Sequence, residues 1–161
     1  MGVKAKREQY IVFMNVGTKE KPEWQAIGKD NEDASRSLNN EVNSKKNILG
    51  VTTVEVTKGN QTTSIDPYKQ EADDKISEVL HDIYFNDLEL SDVEKEFLEV
   101  SLYKKTEDGK YEAFKQTGAI DLKSHGGDTT GISDPFDINW LGERTYGTFD
   151  VDTKAFTPTT A

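Results

Sequence analysis

The chain contains no cysteine. Disulfides, a thiolate nucleophile and a cysteine-ligated metal are therefore excluded, and the fold must rest on packing and hydrogen bonds. Histidine is nearly as scarce, with two residues in 161. His81 falls in a helical stretch beside Leu80, and His125 precedes Gly126-Gly127-Asp128 with no further ligand at metal spacing, so neither is expected to hold a metal. Apolar runs are short. The longest, Tyr10 to Val16, is interrupted by Asn15 and falls well below the length of a membrane span, so no membrane anchor is expected and a cytoplasmic origin is the default. A basic excess is also missing. Lys and Arg number 20 against 30 Asp and Glu, a net charge of −10, which opposes the counterion-releasing phosphate contacts that hold ordinary DNA-binding proteins on their targets.

Catalytic patterns are equally thin. Gly126-Gly127-Asp128-Thr129-Thr130-Gly131 lacks the Lys-Ser/Thr ending of a phosphate loop and does not lead into a helix; it reads as a turn at a strand junction. Asp150 and Asp152 resemble the opening of a calcium loop, but Lys154 occupies the next ligand position. No enzyme activity and no cofactor are expected. What remains is a polar but aromatic-bearing composition, 34% hydrophobic and 31% charged, over a length suited to one domain, 1–161.

Periodicity supplies the elements. Gln9 to Val16 reads as a central strand buried on both faces, and Trp24 to Ile27 as a short second strand. Val51 to Lys58 alternates and, through Lys58-Gly59-Asn60-Gln61, is expected to pair with Thr62 to Ile65 as a hairpin. An amphipathic helix is expected from about Glu71 to Phe85, carried by Ala72, Ile76, Val79, Leu80 and Ile83, with Asp73 and Asp74 in its first turn. The acid is concentrated there. Between Asp66 and Glu96 eleven acidic residues stand against three basic ones, a net of −8. Phe97 to Lys105 and Tyr111 to Lys123 form the clearest hairpin, joined at Glu107-Asp108-Gly109-Lys110, with Gly118 expected to mark a bend or bulge. Two further strands are expected, one with Phe136, Ile138 and Trp140 inward, the other with Phe149 and Val151. The order gives a mainly β (α+β) fold: a β-sandwich or partial barrel with one packed helix.

Between the second strand and Val51 lies a polar run, KDNEDASRSLNNEVNSKKN, from Lys29 to Asn47 and extending to about residue 50. Long structureless loops are uncommon in compact domains and usually serve a function. Lys29, Arg36, Lys45 and Lys46 balance Asp30, Glu32, Asp33 and Glu41. A neutral, charge-rich surface suits contact with further copies of the same chain.

The string Gly126-Gly127-Asp128-Thr129-Thr130-Gly131-Ile132, then Pro135-Phe136-Asp137-Ile138, Gly142, Gly147-Thr148-Phe149 and Phe156-Thr157-Pro158, resembles the C-terminal half of tail tube proteins, the major tail proteins of long-tailed bacteriophages. The order of strand, long polar loop, Asp66-Pro67-Tyr68-Lys69, acidic helix and closing strands extends the likeness over most of the chain. The resemblance implies a virion protein, made in the host cytoplasm, that forms hexameric rings stacking into a hollow tail tube. Its partners would be copies of itself and other tail proteins at the tube ends, with DNA only in transit. On that footing the loop becomes an inter-ring contact, with Asp30, Asp33, Arg36, Asn40, Lys45 and Lys46 as its candidate residues, and deleting Asp33 to Lys45 is expected to leave a folded monomer. A polar lumen, repelling phosphate, would be lined by Glu55, Asp121, Asp137, Asn139 and Asp150. Residues 157–161 are expected to form a flexible end. Alternatives are the inner tube of a contractile tail or secretion-type particle, and a carbohydrate- or receptor-binding β-sandwich with Trp24 exposed.

Overall fold

The structure, a computed structural model, describes residues 2–159. It is mostly strand with one α-helix, an open antiparallel sheet curled towards a partial barrel. The strands are β1 (Tyr10–Asn15), β2 (Trp24–Ala26), β3 (Arg36–Ser37), β4 (Glu41–Lys46), β5 (Thr52–Thr57) and β6 (Thr62–Ile65). After helix α1 (Lys75–Phe85) come β7 (Glu94–Lys105), β8 (Tyr111–Leu122), β9 (Gly126–Asp128), β10 (Gly131–Ser133), β11 (Phe136–Asp150) and β12 (Ala155–Pro158). The main sheet runs β2-β1-β7-β8-β11-β6-β3, with β12 added along β11; β4 and β5 pair only with each other, as do β9 and β10.

Because side chains alternate across a strand, this one sheet buries residues on both faces. One face carries Met14, Phe97, Ile120, Phe136, Ile138 and Trp140, covered by Ile76, Leu80 and Ile83 of α1 and by Tyr68. The other carries Phe13, Trp24, Leu98, Val100, Ala113 and Phe149. Two contacts show how strongly the sheet curls. Phe13 of β1 and Phe149 of β11 lie three strands apart, roughly 14 Å in a flat sheet, yet their ring centroids are 4.9 Å apart. On the opposite face Arg36 of β3 pairs with Glu99 of β7, four strands away in the order. The sheet therefore folds over one core at one end and over the other core at the opposite end.

Several expectations are corrected. The polar run from Lys29 to Asn47 is not a structureless loop: it contains β3 and β4. Val51 to Lys58 does not pair with Thr62 to Ile65; β5 pairs with β4 and β6 with β11 and β3, because Asn47 to Gly50 provides the turn that brings β4 back onto β5. The two last expected strands are one 15-residue strand, β11, whose register against β8 shifts between Leu141 and Thr145. Trp24 is buried, packed with Phe13 and Leu98. Residues 157–159 are tied down, Thr157 and Pro158 in β12 and Thr159 through its N–H to the Tyr146 carbonyl at 2.8 Å, while residues 160–161 lie outside the described residues. Helix α1 begins at Lys75, so Ala72 precedes it. Asp74 is its N-cap and accepts from the Ser77 N–H, the Ser77 hydroxyl and the Tyr68 hydroxyl.

Gly118 marks no register shift. A Cβ there would lie 2.5 Å from Ile138 Cγ2 and 3.0 Å from Phe97 Cε2, so the glycine exists to let those two side chains meet beneath it. Gly118→Ala is expected to lower unfolding free energy by about 1–3 kcal/mol through overpacking, read as a shifted denaturant midpoint with unchanged slope. Asp74 supports a second expectation. Burial opposes its charge, but hydrogen bonds from Tyr68, Gln25 and Ser77 outweigh that and hold its carboxyl below the ordinary value of 3.8. A depressed carboxyl stabilises the fold above the unfolded value, and that stability is lost as pH falls through the folded value. Asp74→Asn should therefore weaken the protein at neutral pH by about 1 kcal/mol and flatten its loss of stability below pH ~4, as measured by urea unfolding across pH.

Candidate functional site at the projecting hairpin

The segment leading to the hairpin is fastened to the body residue by residue. Lys29 Nζ donates to Asp30 and, at 2.7 Å, to the Lys69 carbonyl, and sits 4.5 Å from the centre of the Tyr68 ring. Burial works against its charge, yet Asp30 and Glu71 hold the ammonium above its ordinary pKa. Asp30 accepts the Lys69 N–H at 2.9 Å, Asn31 donates to the Pro67 carbonyl at 3.1 Å, and Arg7 donates to the Ala34 carbonyl at 2.8 Å. Behind this strap lies a cavity of about 520 Å³ lined by Tyr10, Val12, Ile27, Ala34, Ile65 and Glu99, among others.

Arg36 is the final anchor. Its side chain is 9% exposed and Glu99, its partner, is 6% exposed. The guanidinium lies 3.9 Å from the centre of the Trp140 ring, and its Nη1 donates at 2.9 Å to both Gln61 and Gln116. Tyr10 donates to Glu99 at 2.6 Å; burial first, then this carboxylate, pushes the phenol well above its usual range. A planar, permanently charged fork suits such a site better than lysine would, since it can stack on Trp140 and still pair sideways.

Past this anchor the chain leaves the body. Asn39 donates to the Asn60 carbonyl at 2.7 Å, bringing the two ends of the excursion together. Strands β4 and β5 then pair in six-residue register, and every residue in both is exposed. Val42, Ser44 and Lys46 face Val56, Val54 and Thr52 across the ladder, which gathers three valines on one side; Glu41, Asn43 and Lys45 face Thr57, Glu55 and Thr53 on the other. At the tip the Asn47 side chain accepts the Leu49 and Val51 N–H groups at 2.9 and 3.0 Å, and Gly50 takes φ +80°. That turn presents Ile48 fully to solvent and Leu49 at 82% exposure. An isolated two-stranded ribbon is marginal in water, and an exposed apolar patch on one is a contact surface in search of a partner.

The six residues expected at the contact divide. Asn40, Lys45, Lys46 and Asp33 are exposed, Asp30 is engaged in holding the strap, and Arg36 is buried, so it positions the hairpin and offers nothing outward. The Asp33 to Lys45 deletion would consequently remove the partner of a buried carboxylate along with the hairpin. The five residues expected in a lumen divide too. Asp121 and Asp137 lie opposite each other on neighbouring strands with Asn139 on the same face, next to Ser64 and Thr62 of β6. Lys123 contacts Asp121 at 2.6 Å and Asp137 at 3.4 Å, which offsets their mutual repulsion. Glu55 stands apart on the hairpin, and Asp150 points to the opposite face, where it accepts the Asp152 N–H at 2.9 Å in a turn.

Sequence reasoning missed Val42, Ile48, Leu49, Val54 and Val56 as one exposed surface, although the Asn47-to-Gly50 turn between two alternating runs was a readable hairpin signal. It also missed fully buried Asp134, whose carboxylate meets His125 Nδ1 at 2.6 Å and accepts from Gln70. Among the described residues no cluster of three or more potential metal ligands occurs, and no helix is long and apolar enough to cross a membrane.

No family model matches the chain, and no curated protein matches its sequence. Among solved structures it is similar to a chain of the anti-feeding prophage (AFP) baseplate, 6-fold symmetrised, at 9% identity and a TM-score of 0.46, over 91% of this chain and 97% of that one. A superposition that loose carries no argument about what this protein does.

Removing Arg36 should expose how much the anchor matters. Arg36→Ala is expected to cost about 3–5 kcal/mol by stranding the Glu99 charge, and Arg36→Ala with Glu99→Gln to recover part of that, in a double-mutant cycle measured by chemical denaturation.

Proposed function

We propose that this protein is a structural subunit that assembles with copies of itself into stacked rings, the hollow tube of a phage-type tail. The observation that carries this reading is the β4–β5 hairpin: a locally well-formed ribbon with exposed valines along one side and Ile48 and Leu49 at its tip, fastened at its base and paired with no other strand of its own body. Such a ribbon stabilises nothing in the monomer. Seated on a neighbouring subunit, it would bury about seven apolar side chains, from Leu38 to Val56, and supply a directional contact.

The resemblance of the Gly126–Ile132 string and of the closing strands to tail tube proteins gives the assembly its form. The polar sheet face of Asp121, Asp137, Asn139, Ser64 and Thr62 suits a water-filled lumen that DNA crosses without adhering. Its acids are partly balanced by Lys123, so that face is hydrophilic more than strongly negative. Beside the cavity behind the strap, Glu99 is engaged by Arg36 and Tyr10, which supports a structural role for this carboxylate over a catalytic one. Both tryptophans are buried, so neither offers a stacking face to a glycan.

The test excises Glu41 to Lys58 and joins Asn40 to Gly59 through a two-residue turn. Asn39 already lies against Gly59, so closure costs the body little, and Arg36 is retained. The excised protein should unfold within about 1 kcal/mol of the parent and remain monomeric by sedimentation velocity at concentrations where the parent forms rings or tubes in electron micrographs. A parent protein that stays monomeric at every concentration would refute the assignment, and normal tubes from the excised chain would refute the hairpin's part in it.

A further inference from the structure

The hairpin needs a receiving surface, and the same chain presents one of opposite character. At the C-terminal end of α1, Tyr84 and Phe85 are 54% and 74% exposed, and Leu90 just beyond is 80% exposed. The rings there are already ordered. Tyr84 stacks on His125 at 4.2 Å between centroids, and His81 on Phe85 at 4.9 Å, so the patch is a preformed platform that loses little freedom on binding. The loop that follows holds two non-glycine residues in the left-handed region, Asp87 at φ +50° and Leu90 at φ +56°. For a leucine this is an outlier, and the strained backbone keeps an apolar side chain in water where the monomer gains nothing from it.

Charge then selects the occupant. Exposed Asp82, Asp87 and Glu89 adjoin the platform residues along the chain, within the stretch that carries eleven acidic and three basic residues. The hairpin excursion, residues 38–58, holds Lys45, Lys46 and Lys58 against Glu41 and Glu55, a net of +1 in a chain whose total is −10. Resting on the assembly reading above, we propose that the hairpin tip of one copy docks on the aromatic platform at the end of α1 of another, Ile48 and Leu49 against Phe85 and Leu90, with Lys45 and Lys46 beside Asp82, Asp87 and Glu89. Two different surfaces of one chain meeting in this way, when not reciprocated between the same two copies, make a heterologous contact, which closes into a ring or propagates along an axis.

The absence of cysteine makes the test direct, because any disulfide reports only introduced thiols. Chains bearing Leu49→Cys are mixed with chains bearing Leu90→Cys, allowed to assemble, and oxidised mildly; both sites are exposed, so each variant keeps the parent fold. A disulfide joining the two variants, in at least tenfold excess over either like-with-like product, is expected. In parallel, Lys45→Glu with Lys46→Glu should raise the concentration needed for assembly at least tenfold, and adding Asp82→Lys with Glu89→Lys should restore it. Assemblies that form normally but yield no mixed disulfide, or that ignore the charge reversals, overturn the docking and leave self-assembly standing. A protein monomeric at every concentration overturns the assembly reading itself.

Discussion

The ion pair between Arg36 and Glu99 is the contact on which the arrangement turns. It joins strands that stand four places apart in the sheet order, and so it exists only because the sheet curls through a large angle. Burying two charges is costly, and here the cost is offset in part by further interactions: Trp140 beneath the guanidinium, Gln61 and Gln116 accepting from it, and Tyr10 donating to the carboxylate, while the guanidinium Nε has no hydrogen-bond partner. The pair also specifies position. Apolar contacts would tolerate a shifted β3, whereas a fork that must pair, stack and donate at once admits one register for the strand from which the hairpin departs.

From that fixed base the division of labour follows. The two faces of the sheet consume the apolar residues of β1, β7, β8 and β11 together with one face of α1. The valines of the hairpin and the aromatic residues ending α1 lie outside both cores, exposed to solvent. A rigid ribbon with a locked tip and a platform of stacked rings are both preorganised, and preorganised surfaces bind with less loss of conformational entropy than loops that must order on contact. The excursion is accordingly a folded projection, with its backbone hydrogen bonds made between β4 and β5.

Legibility in the sequence tracked the range of the interactions. The β7–β8 hairpin was readable because Glu107-Asp108-Gly109-Lys110 and strict alternation are local, and α1 was readable from Ile76, Leu80 and Ile83. Gly118 was misread as a bend because its reason is a contact with Ile138 and Phe97, neither of which adjoins it in sequence. Thr62 to Ile65 was paired with the wrong strand for a related reason: a turn-like tetrad at Lys58 competes with the one at Asn47, and the alternation of Val54 and Val56 cannot say whether its apolar side meets a core or water. At the candidate site Lys45, Lys46 and Asn40 were visible as polar and exposed, while the apolar half of the same surface was hidden inside a run that reads as polar overall.

The sequence by itself determined the class of the protein. Its alternation, turn residues, one amphipathic helix and lack of cysteine require a mainly antiparallel β fold held by packing, because those signals act over a few residues and bias the backbone directly. Only the tertiary structure decided that Arg36 is an anchor, that Trp24 is core, and that Val42, Val54, Val56, Ile48 and Leu49 share a surface facing solvent. Those properties depend on which strands become neighbours. That choice is set by the curl of the whole sheet and by contacts such as Arg36 to Glu99, which span 63 residues of sequence.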